Sequence, residues 1–182
     1  MKFLIGVLLT LTFGSAWPQE TFWKDKDGNP VPDTAAMKSE KGFGGWLVVT
    51  ADHDWEQKWQ TPSDTTPYFS EASTVAIGER IMTLIFFANP MVGEDGIVEV
   101  RCDLKVVRPD GTVSIDVSDS ECFKGPIDGP PANVRLSTGL LGFIGEPGDP
   151  LGVWVTDVKL TDMVRGVSLE LRTTFELVGD EI

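Results

Sequence analysis

The single histidine of the sequence, His53, lies between two carboxylates, Asp52 and Asp54, which makes this the first place to consider a metal. A zinc or copper site would need further nitrogen or sulfur ligands, and the sequence has no second histidine and no cysteine pair at ligand spacing. Acids at the start of a helix are explained more simply as caps and as partners of the helix dipole. We therefore predict neither a metal site nor another cofactor.

The acidic run Asp25–Asn29 resembles the start of a calcium-binding loop but lacks the residues that such a loop depends on. Pro30 stands where the sharp turn needs glycine, and Ala36 stands where the bidentate glutamate belongs. We interpret the run as an exposed, acid-rich turn. A weak calcium site at other surface acids, such as Glu94 and Asp95, stays open.

Catalytic patterns are missing from the sequence. There is no G-x-S-x-G motif, and His53 has no second base to support a nucleophilic serine. Glycoside hydrolysis needs two carboxylates at a defined distance, and the 28 acids of the chain offer many pairs without singling one out. We therefore predict a protein that is not an enzyme. An enzyme of a type that the sequence does not advertise is the remaining alternative.

Three of the six tryptophans, Trp23, Trp55 and Trp59, lie near polar and acidic residues. Exposed indoles in such a setting form platforms for a sugar or a peptide, so these three are candidate ligand-binding residues. The competing interpretation, which we favour, is that they seal the open end of a β-sandwich. Trp46 and Trp154 fall on predicted strands and are expected in the core.

Residues 1–16 have the pattern of a signal peptide. Lys2 supplies the positive charge, an apolar stretch follows, and Gly14-Ser15-Ala16 offers small residues for cleavage after Ala16. The apolar stretch is far shorter than the roughly 20 residues that span a bilayer. We expect an exported protein, periplasmic or extracellular, whose mature chain is not inserted in a membrane.

The charge of the chain excludes some partners. The formal net charge is −13, from 28 acidic and 15 basic residues. Such a field repels phosphate backbones and anionic lipid headgroups, so we predict no nucleic-acid partner and no binding to a membrane surface.

Cys102 and Cys122 are the only cysteines, and an exported protein with two cysteines usually bridges them. In a regular hairpin turning at Arg108–Gly111, however, Cys122 lies about 13 Å beyond the position opposite Cys102. Bridged Cα atoms lie within about 7 Å of each other, so the bond requires the chain to leave the ladder near Ser118–Ser120 and curl back. We expect the disulfide, with two buried free thiols as the alternative.

The clearest structural signal is the alternation of residues 165–178, RGVSLELRTTFELV. Apolar side chains recur at every second position from Val167 to Leu177, as in a strand with one buried face. A single strand or hairpin cannot cover such a face, so the upstream chain must supply a second sheet.

The rest of the chain supplies that sheet in short segments. We predict strands within residues 45–51, 73–88, 97–107, 112–117, 133–144 and 153–160, and a short connecting helix with a capping box formed by Asp54 and Gln57. This gives an all-β, immunoglobulin-like antiparallel sandwich of about seven to nine strands over residues 45–182. Residues 17–44 are expected to form an N-terminal arm.

Two stretches of the sequence resemble known proteins. The ending PLGVWVTDVKL followed by VSLELRTTFEL is similar to the last two strands of bacterial immunoglobulin-like domains. The segment FGGWLVVTADHDWEQKWQTP resembles a stretch found in uncharacterised exported bacterial proteins, and it implies no function.

The strand pattern and the missing catalytic motifs favour an exported, non-enzymatic binding or accessory domain that engages another extracytoplasmic protein through its loops or an edge strand. The alternative is a glycan or small-molecule binder that uses Trp55, Trp59 and Trp23.

Overall fold

The computed structural model describes residues 21–60 and 67–179. The predicted signal peptide and residues 17–20 lie outside the described residues. Within them the chain forms ten strands and one short helix. These elements are β1 (Met37–Glu40), β2 (Phe43–Thr50), α1 (Trp55–Trp59), β3 (Thr74–Ala76), β4 (Arg80–Ala88), β5 (Val98–Val107), β6 (Val113–Gly125), β7 (Val134–Leu136), β8 (Leu141–Ile144), β9 (Gly152–Asp162) and β10 (Val167–Val178).

The strands form two packed sheets. The first has the order β1-β2-β4-β7, with β8 also paired to β4, and the second has the order β3-β10-β9-β5-β6. The pairs are antiparallel apart from β3 with β10, which run parallel. The predicted all-β sandwich is confirmed, with ten strands in the described residues instead of seven to nine. One unpredicted strand, β1, lies in the segment expected to be an arm and is too short to show alternation.

The strand β10 has the predicted buried face. Leu169, Leu171 and Phe175 are at most 4% exposed, and β10 pairs along its length with β9 as expected. Leu169 and Leu171 share one apolar cluster with Ile85 of β4, and this cluster joins the two sheets. At the other end of the sandwich, Phe175 belongs to a second cluster that also draws on both sheets.

The first sheet is buried on both faces. On β4, Ile85 points to the second sheet, while Leu84 and Phe86 point outward and are nevertheless at most 1% exposed. The cover on the outward face includes Trp55 of α1. This explains why residues 80–88 are almost continuously apolar, as predicted for a central strand. The interpretation that Trp55 and Trp59 seal the open end of the sandwich is wrong, because they pack on the outward face of the first sheet.

The predicted capping box at the start of α1 does not form. Asp54 makes no side-chain hydrogen bond to the helix backbone. Its carboxylate instead lies 3.4 Å from Lys58 Nζ, one turn further along, and Lys58 also contacts Asp52 at 2.7 Å. The i,i+4 attraction between opposite charges replaces the cap.

Cys102 and Cys122 form a disulfide, with their Cα atoms 5.8 Å apart. The chain does not curl back as predicted, since β6 continues as a strand to Gly125. It does depart from the regular ladder at the predicted place, where Ser118 and Asp119 have no register partner on β5. Two register shifts along the β5–β6 ladder place Cys102 opposite Ser120, and a third leaves Cys122 as an extra residue between Glu121 and Phe123, close to Cys102. Each bulge adds a residue to one strand only, so successive bulges supply the displacement that a regular hairpin lacks.

We expect the disulfide to contribute about 3 kcal/mol to the free energy of unfolding, because it closes a loop of about 20 residues. The double variant Cys102→Ser with Cys122→Ser should show this loss in urea unfolding relative to the parent. Unfolded, non-reduced parent protein should contain no titratable thiol. Finding two thiols would contradict the bond.

Leu171→Asp should unfold the domain. The change places an unpaired carboxylate between the sheets and is expected to lower the free energy of unfolding by about 4 kcal/mol or more. Thr174→Asp, on the exposed face of the same strand, is the matched control and should melt within a few degrees of the parent. If both variants melt like the parent, β10 does not have the organising role assigned to it.

Candidate functional site

A buried carboxylate organises one end of the sandwich. Asp162 is the last residue of β9, and it occupies the inward face of that strand with 0% exposure. Its oxygens accept hydrogen bonds from the backbone amides of Met91 at 2.8 Å, Val164 at 3.1 Å and Arg165 at 3.0 Å. The loop after β4 and the turn after β9 are thereby hydrogen-bonded to the same carboxylate, that of Asp162.

Arg165 completes this arrangement. Its Nε donates to Asp162 at 3.3 Å, and its two terminal nitrogens donate to the backbone carbonyls of Lys41 at 2.6 Å and Asn89 at 2.9 Å. The Asn89 side chain in turn donates to the carbonyl of Gly42 at 2.8 Å. We call these contacts the Asp162–Arg165 clamp. The clamp joins the β1–β2 turn and the β4–β5 loop of the first sheet to the β9–β10 turn of the second.

The loop between β6 and β7 is fixed beside the clamp. The amide of Asn89 donates to the carbonyl of Pro131 at 2.8 Å. Arg135 donates to four carbonyls of this loop, those of Asp128, Pro130, Pro131 and Asn133, and its partial burial lowers its pKa from the usual value. The connections at this end of the sandwich are therefore held by specific hydrogen bonds.

The clamp presents an apolar surface. Met91, Val92, Met163 and Val164 are 41%, 41%, 49% and 40% exposed. The amides of Met91 and Val164 bind the two oxygens of one carboxylate, so the two segments are neighbours. We call these four residues the loop-end patch. Contiguous exposed apolar side chains on a monomer commonly mark a binding surface.

This site was not predicted from the sequence, although one signal for it is present. Asp162 falls on the same alternation as Trp154, Val158 and Leu160, all of which are buried. A carboxylate on the apolar face of a strand must be paired or hydrogen-bonded. Arg165, three residues later, was the available partner.

The three tryptophans proposed as ligand-binding residues lie elsewhere, on the outer face of the first sheet. Trp23 is 9% exposed and contacts Trp46, with 6.4 Å between ring centroids. Trp55 is 7% exposed, and Trp59 is half-buried with its ring centroid 5.3 Å from that of Phe86. The structure brings the three residues to one face but packs the indoles of Trp23 and Trp55 into it. Trp46, expected in the inter-sheet core, belongs to this outer layer, whereas Trp154 lies in the core as predicted.

The acids near His53 and in the arm are engaged in local contacts. Asp52 binds Lys58 and the amide of Ser70, and these hydrogen bonds lower its pKa although desolvation, the largest single influence, acts against them. Asp25 closes its own turn, where the hydrogen bond from the Asn29 side chain lowers the pKa of the carboxyl. His53 is exposed. Within residues 21–60 and 67–179, no three potential ligands are grouped as a metal ion would require.

The outer face of the second sheet carries alternating charges. Opposite charges face each other across neighbouring strands, with the closest contact between Arg172 and Asp157 at 2.6 Å. The two cross-strand rows are Arg172, Asp157, Lys105 and Asp116, and Glu170, Lys159 and Asp103. A shallow depression along these rows is lined mainly by charged residues. Exposed pairs of this kind contribute little stability and keep a face solvated.

Comparison with known proteins gives no family. No protein family and no curated protein matches the sequence. No helix among the described residues is long and apolar enough to cross a membrane.

Several solved structures are similar in part. One is the alkylpurine DNA glycosylase AlkC of Pseudomonas fluorescens bound to DNA containing an abasic site analog, at 15% identity and TM-score 0.36, covering 58% of this chain and 27% of that one. Another is a family 123 glycoside hydrolase from Clostridium perfringens, at 8% identity and TM-score 0.41, covering 75% and 28%. A third is the CARDB domain of the Pyrococcus furiosus PF1109 protein in complex with di-metal ions, at 8% identity and TM-score 0.35, covering 74% and 89%. The chain spans about a quarter of the length of the first two, and identities this low transfer no activity.

Asp162→Asn should destabilise the protein strongly. The new amide nitrogen faces backbone N–H donors and Arg165, and the charge of the partly buried guanidinium loses its counterpart. Removing one member of a buried pair costs about 3–5 kcal/mol. Asp157→Asn, which breaks an exposed pair with Arg172, is the control and should cost at most about 1 kcal/mol. Equal losses in urea unfolding would show that the clamp has no special role.

Proposed function

We propose that this chain is an exported, non-enzymatic binding domain that engages another extracytoplasmic protein through the loop-end patch. The observation that carries the proposal is that four exposed apolar side chains are held on adjacent loops by a fully buried carboxylate. Water-exposed methionine and valine side chains gain free energy when a partner covers them. The rigid scaffold beneath them reduces the entropy lost on binding.

The composition of the patch indicates how a partner would be recognised. Methionine side chains are flexible and polarizable, so Met91 and Met163 adapt to the shape of an apolar pocket. The chain carries a net charge of −13. We therefore propose a partner surface with an apolar centre and a basic rim, because complementary charge speeds association. The like charge of two copies of this acidic chain disfavours self-association.

Export is part of the proposal. Its supports are the signal-peptide pattern of residues 1–16 and the disulfide between Cys102 and Cys122, since disulfides persist in oxidising compartments outside the cytoplasm. The compartment would be the periplasm or the exterior of the cell. The acidic charge supports the further proposal that nucleic acid is not a partner.

The alternative, a glycan binder using Trp23, Trp55 and Trp59, has less support. A sugar platform needs an open indole face, and Trp23 and Trp55 are at most 9% exposed.

The test is affinity capture from the native envelope fraction with three purified proteins. Parent protein should retain a stoichiometric partner, and the variant Met91→Ser with Met163→Ser should lose it, because the apolar anchors at the centre of an interface carry most of its binding free energy. The control, Leu151→Ser with Val153→Ser, removes two exposed apolar side chains at the opposite end of β9 and should capture the partner like the parent.

Two outcomes would contradict the proposal. In the first, the parent protein retains no stoichiometric partner. In the second, the variant Met91→Ser with Met163→Ser captures as much partner as the control variant. Melting curves of both variants must match the parent, which shows that the difference in capture does not come from unfolding.

A further inference from the structure

Six polar or charged side chains are buried among the described residues, and two of them have no hydrogen-bond partner there. The six are Ser39, Thr50, Thr83, Ser137, Thr156 and Asp162. Four have hydrogen-bond partners: the Thr50 hydroxyl donates to the carbonyl of Ser70 at 2.9 Å, for example, and the Ser137 hydroxyl donates to that of Gly139 at 2.8 Å. The hydroxyls of Thr83 and Thr156 bind no other group in the described part of the chain, although these residues are only 3% and 1% exposed.

These two threonines line the same cavity between the sheets, which has a volume of about 40 Å³. No side-chain oxygen sealed completely from solvent lacks a hydrogen-bond partner within residues 21–60 and 67–179. The two hydroxyls therefore remain in contact with a space that admits a water-sized molecule, and the cavity supplies that space. Burying an unpaired hydroxyl is costly, so such a pair requires a ligand or water.

The walls of the cavity are aromatic and uncharged. Phe143 lies against both Trp154 and Phe175, with ring centroids 4.8 and 4.7 Å apart, and all three line the cavity together with Val106. The lining contains no acidic or basic side chain. A charged ligand would lose its hydration here without a counter-charge, so the occupant must be neutral.

The lining of the cavity reaches the surface on two strands, where Ser114 and Gly142 are exposed. The remaining lining residues lie on β6 and β8, which belong to different sheets: Ser114, Ile115, Leu141 and Gly142. Neither strand pairs with the other, and Ile115 and Leu141 are half-buried. A molecule longer than the cavity can therefore extend outward between apolar side chains.

The volume limits what enters. A water molecule occupies about 30 Å³ in the liquid, so the cavity admits one water, or one hydroxyl group with the first carbon of a longer chain. We propose that it binds the hydroxyl end of a small neutral amphiphile, such as a primary alkyl alcohol. The ligand oxygen lies between Thr83 and Thr156, and the alkyl chain leaves past Ile115 and Leu141. This site is separate from the loop-end patch and does not depend on the proposed partner protein.

Titration with 1-butanol, followed by two-dimensional amide NMR, tests the proposal on the intact protein. Saturable shifts are expected at Thr83, Thr156 and Gly142. Butyrate, which has the same chain length and a negative charge, should produce none of them. The expectation is overturned if the alcohol causes no saturable shift, or if butyrate causes the same ones.

Two isosteric variants test the role of the hydroxyls. Thr83→Val and Thr156→Val should each weaken 1-butanol binding about three- to tenfold, the range expected for loss of one hydrogen bond. Thr174→Val, on the exposed face of β10, should leave the affinity unchanged. If the two cavity variants bind the alcohol like the parent, the hydroxyls do not hold it.

Melting temperatures without alcohol test whether the two hydroxyls are unpaired in the protein. Thr83→Val and Thr156→Val should melt at or above the temperature of the parent, because each removes an unpaired buried hydroxyl without changing volume. Thr50→Val removes a hydroxyl that has a partner and should lower the melting temperature. A high-resolution structure with one ordered water bridging the two threonines in the presence of 1-butanol would overturn the ligand proposal.

Discussion

The first sheet has no polar face, and the arrangement of the molecule follows from this constraint. Alternate residues of β4, such as Ile85 and Leu84, are buried on opposite sides of the sheet. One side is covered by the second sheet, and the other requires the short helix and the aromatic residues of the N-terminal segment. The tryptophans are used in that cover, so the indoles that suggested a ligand platform stabilise the fold. Function must then be carried by surfaces that the packing leaves free.

Two such surfaces are the edge strand β6 of the second sheet and the loop end of the sandwich, and they differ in their suitability for a partner. The strand β6 is a long edge strand, but it carries repeated bulges, and acids such as Asp116, Asp119 and Glu121 lie along it. Bulges and charges of this kind prevent another strand from pairing with an edge. The loop end has the opposite character, since the Asp162–Arg165 clamp fixes its loops and leaves apolar side chains exposed. This contrast favours loops over an edge strand as the means of binding.

The same bulges reconcile the disulfide with the hairpin. A regular ladder would keep Cys102 and Cys122 too far apart for a disulfide, as the register of the hairpin predicts. The backbone resolves the conflict by inserting extra residues into β6, which keeps the strand hydrogen-bonded and brings the Cα atoms to 5.8 Å. The bulges thus allow the disulfide to form and also make the exposed edge of β6 irregular.

The sequence by itself determined the elements whose side chains alternate or run apolar over several residues. The strands β4, β5 and β9 were predicted within their segments, and β10 was predicted with its buried face, because the period of a strand is a local property of the chain. Short elements such as β1 have too few residues to show a period. Only the tertiary structure decided what the outward side of the first sheet touches, how far the register of β5 and β6 shifts, and which groups complete the hydrogen bonds of Asp162. Those outcomes depend on residues distant in the chain, such as Lys41 and Asn89 around Arg165, or Thr83 and Thr156 around one cavity. Such pairs leave no periodic signal, because their proximity is created by the packing of the two sheets.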